Sequence, residues 1–337
     1  ASTGGIETLL RILSGLPEDL PASIFIVQHI SPHSKGYLAK IFDNACSLKV
    51  VEAVDNQPIE KGYVYVAPPD KHLLVKKDVI KVIRGPKENR TRPAIDPLFR
   101  SAAASYTTQV IGVILTGALN DGTAGLLAVK ECGGITLVQS PSDAICPSMP
   151  QSALDNVDVD YCLNSSEIAN KLVSIVYEES NKEKVVPENI KIEAGIAEAA
   201  ISDPHIQDKI GTPSLFSCPE CGGRLWEIRN QPNKFLRFRC HIGHAYTATS
   251  MLSETTEVVD NALSLALRTL EDRVNLLNQM AEDAVILGQD SIANIYRKQA
   301  NTSSKHAQVI NNLLKDKEFS CECGGAKAEI VISVCTI

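Results

Sequence analysis

Short apolar runs alternate with helix-period patterns from the first residues to about residue 178, and this alternation restricts the fold more than any other feature. Ser23-Ile24-Phe25-Ile26-Val27-Gln28-His29, Val50-Val51-Glu52-Ala53, Tyr63-Val64-Tyr65-Val66, Val110 to Leu115 and Gly134 to Val138 read as strands. Their β-branched and aromatic residues in brief unbroken runs suit a sheet covered on both faces. Between them, Ile6, Leu9, Leu10 and Leu13 share a helical face, as do Leu38, Ile41 and Phe42 in a helix predicted over residues 35–45. Further helices are predicted from Asp96-Pro97, from an N-cap at Thr123 through Leu126, Leu127 and Val129, and from Ile168 to Tyr177. Such alternation predicts an α/β fold with a doubly wound, mostly parallel sheet. His72 to Val75 and Val79 to Ile83, separated by Lys76-Lys77-Asp78, add a local β-hairpin.

In open parallel sheets the ligand lies beyond the carboxyl ends of the strands, so residues that follow strands are the ones to inspect. His29 closes one strand, and Leu115-Thr116-Gly117-Ala118-Leu119-Asn120-Asp121-Gly122 follows another. At the start of the chain, Ser2 in Ala1-Ser2-Thr3-Gly4-Gly5 precedes a helix whose unpaired N–H groups point toward whatever sits on the serine. A hydroxyl, an imidazole and a carboxylate can thus meet along one edge as a triad. His33 and His72 are rival bases, and Asp121 has an alternative reading as an Asx-turn residue shaping its own loop.

Ala1 to Gly5, Val27-Gln28-His29 and Thr116-Gly117 through Asn120-Asp121-Gly122 resemble the chemotaxis protein-glutamate methylesterase family, the CheB type. So do Ala67-Pro68-Pro69-Asp70, Arg92-Pro93-Ala94-Ile95-Asp96-Pro97-Leu98-Phe99 and Ser148-Met149-Pro150 with Ser152-Ala153-Leu154, in the same order over residues 1–178. The resemblance implies Ser2 as nucleophile, His29 as general base and Asp121 as the residue that orients His29. It implies hydrolysis of glutamyl methyl esters on chemoreceptors, with glutamine deamidation as the related reaction and no catalytic cofactor. Backbone N–H groups near Thr3 and Ala118 are then the oxyanion-hole candidates. Arg92 and Asp96 are expected on the same edge, touching substrate or holding the loop. Two alternatives stand beside this reading: a serine esterase on another substrate, and a non-catalytic signalling adaptor.

Two departures weigh against full activity. Many relatives carry methionine and glycine where this chain has Ala118 and Leu119, and relatives carry a parallel strand before the serine turn whereas this sequence begins at Ala1. The expectation is of an N-terminal strand missing, Ser2 on a fraying end, and activity below that of a complete protein. The phosphoacceptor domain of many relatives is also absent from this sequence, so phosphorylation control in cis is not expected.

Beyond residue 178 the composition changes. Residues 179–212 are charged and nearly free of aromatics, and read as a solvated linker with a helix near residues 190–200. Cys218-Pro219-Glu220-Cys221-Gly222-Gly223 and Cys240-His241-Ile242-Gly243-His244 then form two tight ligand pairs, the pattern of a zinc ribbon over residues 213–250. Cys218, Cys221, Cys240 and His244 are the expected ligands of a structural Zn²⁺, with His241 pointing away. Arg224, Arg229, Lys234, Arg237 and Arg239 against Glu220 and Glu227 make this stretch locally basic, and read as a solvated face. Over residues 251–316, Val259, Leu263, Ala266, Leu270, Leu277, Met280, Ala284 and Leu287 form a near-heptad stripe. Gly288 breaks it, and Ile292, Ile295, Tyr296, Val309, Ile310, Leu313 and Leu314 resume it, predicting a helical hairpin that packs on itself, on the ribbon or on a second copy. Residues 317–337, with Cys321, Cys323 and Cys335, receive no assignment.

The remaining cysteines, Cys46, Cys132, Cys146 and Cys162, are scattered singly and read as small buried apolar residues rather than disulfide partners. A formal charge of -7 argues against nucleic acid as the main ligand. Without an apolar run of roughly 18–20 residues or a secretory signal pattern, membrane insertion is not expected and a cytoplasmic location is.

Overall fold

The computed structural model describes residues 4–178, 184–199, 204–230, 235–318 and 331–336. In chain order the elements are α1 (Gly5–Ser14), β1 (Ile24–His29), α2 (Leu38–Asp43), β2 (Lys49–Glu52), β3 (Tyr63–Val66), β4 (His72–Lys76), β5 (Val79–Ile83) and α3 (Ile95–Tyr106). β6 (Ile111–Ile114), α4 (Thr123–Glu131), β7 (Ile135–Gln139), α5 (Ser148–Asn156), β8 (Tyr161–Leu163), α6 (Ser165–Val176) and α7 (Glu188–Ala199) follow. The chain continues through α8 (Pro204–Gln207), β9 (Thr212–Ser217), β10 (Arg224–Asn230), β11 (Phe235–Cys240), β12 (Ala245–Thr247), α9 (Ala248–Ile286), α10 (Asp290–Glu318) and β13 (Val331–Thr336).

Among the described residues the main sheet has the order β2-β3-β1-β13-β6-β7-β8. The pairs β2–β3, β1–β3, β6–β7 and β7–β8 are parallel, while β13 runs antiparallel to both β1 and β6. Part of the unassigned tail therefore lies at the centre of the sheet, with Cys335 opposite Phe25 and Gly112. The other two tail cysteines, Cys321 and Cys323, lie outside the described residues.

Alternation along β1 explains the two-sided core. Phe25 and Val27 join Tyr65, Leu98, Phe99, Leu126 and Met149 in one apolar layer, and Ile24 and Ile26 join Leu9, Leu13, Phe42, Val64, Val113 and Leu172 in another. Period-2 side chains with both faces buried give the continuous apolar runs seen in the sequence. β4 and β5 form the expected antiparallel hairpin.

Several local expectations need correction. The helix predicted over residues 35–45 spans only Leu38–Asp43, and Ile41 is exposed. Thr123 is the first residue of α4 rather than its cap: Gly122 holds the cap position at φ 90°, and the Thr123 hydroxyl bonds Ser152 at 2.9 Å. Of the scattered cysteines only Cys132 is buried, Cys46 and Cys146 are half-buried, and Cys162 is exposed. The stretch read as a solvated linker contains α7, whose Ile190 enters the main core and whose Glu193 is buried.

That burial is electrostatic as well as apolar. Glu193 receives both terminal nitrogens of Arg237 at 2.7 and 2.8 Å and lies 3.4 Å from Arg239. Glu88 accepts from Arg100 at 2.6 and 2.5 Å and from Arg239 at 3.0 Å. Burial alone would raise both carboxyls, but the guanidinium groups hold both below the ordinary carboxylate range. Arg237 and Arg239 are thus buried ion-pair partners, not members of a solvated face. Arg224 and Arg229 are exposed as expected, and Lys234 lies outside the described residues.

β12, β11, β10 and β9 form a separate antiparallel sheet in that order. It belongs to the same compact unit as the main sheet, and residues 252–325 form a second unit. In that second unit α9 and α10 are joined through Gly288, at φ 71°. Among the described residues the buried positions there are Leu277, Ala281 and Ala284 on α9 and Ala293, Ala300, Ser303 and Ala307 on α10. The seam is thus mostly alanine at heptad spacing, whereas Val259, Leu287, Ile295, Val309 and Leu313 of the predicted stripe are exposed. Most of the buried side chains are small, and many of the larger apolar side chains stay outside. No described helix is long and apolar enough to cross a membrane.

Candidate active site and metal centre

His29 is the last residue of β1, and Asp121 lies in the loop after β6, so parallel strand ends bring them to one edge. His29 Nε2 is 2.6 Å from Asp121 Oδ2. Gly122, in the left-handed region at φ 90°, lets this loop press against α3, where a Cβ would meet Ile95 Cγ2 at 2.8 Å. The carboxylate therefore reaches the start of α3, and the backbone N–H groups of Ile95 and Asp96 donate to it at 2.7 and 3.4 Å. Unpaired N–H groups at a helix start favour an anion there. Asn89 Nδ2 donates to Asp121 Oδ1 at 3.0 Å. Burial works to raise the Asp121 carboxyl, but the His29 bond and charge, with these N–H donors, hold it below the ordinary range. Asp121 is bonded by groups outside its own turn, and the Asx-turn reading does not describe it.

His72 is buried with both ring nitrogens engaged: Nε2 with the Pro86 carbonyl at 2.8 Å and Nδ1 with the Ala94 N–H at 3.2 Å. It has no face left for catalysis. His33 is exposed, and its backbone N–H bonds the Ser31 hydroxyl at 3.3 Å. Arg92 spends its guanidinium on Asp70, at 2.9 and 2.6 Å, and on the Gly85 carbonyl at 2.6 Å, which makes it a brace for the loop. Asp96 is buried rather than on the open edge. It accepts from Gly125 N–H at 2.6 Å and Asn89 Nδ2 at 2.8 Å, and burial with the Asp121 charge pushes it up to about 7.

Ser2 and Thr3 lie outside the described residues. The next residue, Gly4, sits at φ 81°, and a Cβ there would overlap the Ile145 side chain. Ile145 lies in the segment after β7, next to Cys146, whose carbonyl accepts from Gly117 N–H at 2.8 Å. The start of α1 and the Gly117–Ala118 loop thus share the edge that carries His29. Ala118 is exposed there.

Residue reading missed two neighbours of the pair. Thr91 Oγ1 lies 3.1 Å from His29 Nε2, and Asn89 bridges both acids. Each sits in Glu88-Asn89-Arg90-Thr91, a polar turn in which Asn89 and Arg90 have φ 48° and 72°. In sequence it reads only as a loop.

Cys218, Cys221, Cys240 and His244 bring one donor atom each within 4.8 Å of one another. Two turns achieve this: Gly222 N–H bonds the Cys218 carbonyl at 2.8 Å, and Gly243 N–H bonds the Cys240 carbonyl at 3.0 Å. A tetrahedral zinc ion implies sulfur–sulfur edges of about 3.8 Å and sulfur–nitrogen edges of about 3.5 Å. Cys221 and Cys240 Sγ are 3.8 Å apart, and His244 Nδ1 is 3.7 and 3.5 Å from Cys218 and Cys240 Sγ. Hydrogen bonds from Cys240 and His244 pull the Cys218 thiol down to about 3, and its charge in turn helps to raise its two cysteine neighbours. Three thiolates can coexist here only with a cation among them, so the donor set fits the metal. Glu220 Oε2 lies 3.7 Å from the other His244 ring nitrogen, and His241 lies over Gly223 instead.

A family model described as CheB methylesterase matches residues 1–172. A Leptospira interrogans protein provisionally named protein-glutamate methylesterase/protein-glutamine glutaminase is 42% identical over 175 residues, 52% of this chain and 91% of that one. The Pyrococcus horikoshii protein-glutamate methylesterase/protein-glutamine glutaminase is 38% identical over 180 residues, but this chain spans only 49% of its length. The crystal structure of the Thermotoga maritima CheB methylesterase catalytic domain matches with a TM-score of 0.50 at 36% identity, covering 51% of this chain and 94% of that one.

Proposed function

Because the chain belongs to the CheB methylesterase family, we propose that it hydrolyses glutamyl methyl esters on chemoreceptors, with Ser2, His29 and Asp121 as the triad. The observation that carries this reading is the 2.6 Å bond between His29 and a buried Asp121 at the carboxyl edge of the sheet. With Nε2 committed to the acid, Nδ1 is the ring nitrogen left to accept the serine proton. Ser2 Oγ attacks the ester carbonyl carbon as His29 takes its proton, and Asp121 stabilises the imidazolium. The tetrahedral intermediate collapses as His29 returns the proton to the departing oxygen, releasing methanol and leaving a glutamyl ester on Ser2. Water then attacks that ester, giving up a proton to His29, and glutamate and the free serine are restored. With a glutamine side chain the same steps release ammonia. Backbone N–H groups near Thr3 and Ala118 are the proposed oxyanion donors, each worth about 3–4 kcal/mol.

The antiparallel sheet β9–β12 is proposed to be a zinc ribbon. All four donors would be committed to Zn²⁺ in a structural role; the ion would hold the two turns together and would not touch substrate. The exposed Leu265, Leu276 and Ile286 of α9, with Leu287 just after it, support self-association of the second unit, which light scattering of a concentration series tests.

Methanol release from a methylated receptor fragment tests the activity. The parent chain should release it and Ser2→Ala should not. Equal release by both would remove Ser2 from the mechanism, and none from either would favour an adaptor.

A further inference from the structure

Asn89 has every hydrogen-bonding position of its side chain in use while almost fully buried. Its Nδ2 donates to Asp96 Oδ2 at 2.8 Å and to Asp121 Oδ1 at 3.0 Å. Its Oδ1 accepts from Thr247 N–H at 3.2 Å and from the Ser250 hydroxyl at 3.1 Å. The amide has one workable orientation. Turned over, it would set its oxygen against two carboxyl groups and its NH₂ against a backbone N–H. The acids on one side and the donors on Thr247 and Ser250 on the other select the same orientation.

Those donors are themselves held by the second sheet. Thr247 and Ser250 cap the start of α9 reciprocally, with Ser250 N–H on Thr247 Oγ1 at 3.1 Å and Thr247 N–H on Ser250 Oγ at 2.9 Å. Thr247 Oγ1 also donates to Asn120 Oδ1 at 2.8 Å, next to Asp121. Ala245 joins the same strand to the Asn89 segment: its carbonyl accepts from Asn89 N–H at 2.8 Å, and its N–H bonds the Lys87 carbonyl at 3.3 Å. The residue before Ala245 is His244, one of the four metal-ligand candidates. From His244 the backbone of β12 leads to Thr247, and hydrogen bonds from Thr247 to Asn89 and from Asn89 to Asp121 complete a path to the acid that holds His29.

We propose that Asn89 is a positioning residue for the hydrolytic site, and that the metal-binding sheet acts on catalysis by fixing the orientation of the Asn89 amide. This rests on the reading of Asp121 as the partner of His29 in ester hydrolysis. Asp121 must stay ionised beside Asp96, and the Asn89 amide is a donor shared by both acids. Without it, Asp121 loses a neutral group that separates it from Asp96, and its grip on the imidazole loosens. The substrate does not meet Asn89.

The test uses the full metal-loaded chain. Asn89→Asp preserves shape and the contacts to Thr247 and Ser250 but points an oxygen at the acids. Asn89→Gly deletes the side chain without straining a positive φ. Asn89→Asp should lower kcat for methanol release about 10- to 100-fold, the range for a hydrogen bond to a charged group. KM should stay within about twofold and zinc content should not change. Proton NMR with nitrogen-labelled histidine should show the low-field His29–Asp121 signal in the parent, and its loss or displacement in both variants. Removing the metal from the parent with a chelator should displace the same signal. An unchanged signal in Asn89→Asp, or kcat equal to that of the parent in both variants, would overturn the proposal. If the parent itself releases no methanol, the esterase reading fails separately, and the NMR signal alone decides the role of Asn89.

Discussion

The thiol cluster and the acid cluster lie in one compact unit but are assembled in opposite ways. Cys218, Cys221, Cys240 and His244 come from two tight turns within a short stretch of chain, and their convergence needs little beyond those turns and a cation. His29, Asn89, Thr91, Asp96 and Asp121 come from the end of β1, a polar turn, the start of α3 and the loop after β6, and converge only when the sheet and its flanking helices have folded. The first is a local device, with a donor set that fits a metal. The second is a distant one, held by burial, a helix terminus and neighbouring amides.

Metal removal should break the comparison most sharply, because a ribbon this small takes about 10–16 kcal/mol from zinc in comparable peptides. Trp226, the chain's single tryptophan, lies in β10 and donates from Nε1 to Asp208 at 2.8 Å, so its fluorescence reports on that sheet. A chelator should red-shift Trp226 emission while far-UV circular dichroism retains the signal of the main α/β core. Unchanged emission with no zinc in the protein would show that the thiols are merely packed.

On the acid side, Asp121→Asn should lower kcat by about 10⁴, because the imidazole loses its fixed tautomer and the charge that stabilises its protonated form. KM should hold, since substrate binding does not use this group. A loss below tenfold in steady-state kinetics would mean that His29 does not depend on Asp121.

The ion cluster that joins the two regions should give a smaller effect, on stability. Glu193→Gln leaves Arg237 and Arg239 with less compensation and should cost about 3–5 kcal/mol in urea unfolding. The pH dependence has a definite sign. Glu88 and Glu193 have folded-state pKa values below the unfolded 4.5, so their contribution is complete above that value and disappears as pH falls through the folded ones. Unfolding midpoints of the parent should drop steeply below about pH 4.5, and the slope should be shallower in Glu193→Gln. Equal slopes would place the acid sensitivity elsewhere.

The contrast also explains what could be read from the sequence. Cys-x-x-Cys and Cys-x-x-x-His carry their geometry in their spacing, and the apolar runs of β1, β3, β6 and β7 carry the sheet in theirs. His29 and Asp121 were legible because a parallel sheet brings the residues after its strands to one edge. Asn89, Thr247 and Ser250 were not, since nothing in a polar turn or a helix cap names a partner more than a hundred residues away. Arg237 and Arg239 misled for a related reason: a basic stretch looks solvated until the acids facing it, Glu88 and Glu193, are placed. In the second unit the large apolar stripe drew attention, whereas Ala293, Ala300 and Ala307 form the buried seam. Helical period alone does not tell which apolar set faces inward.

The most direct measurement is mass-spectrometric mapping after treatment with a fluorophosphonate, which loses fluoride as an activated serine oxygen bonds its phosphorus. The account predicts one adduct, on the peptide that begins Ala1-Ser2-Thr3, formed at a rate that collapses in His29→Ala and falls steeply in Asp121→Asn. An adduct on a different serine, or labelling of Ser2 that ignores both substitutions, would contradict it.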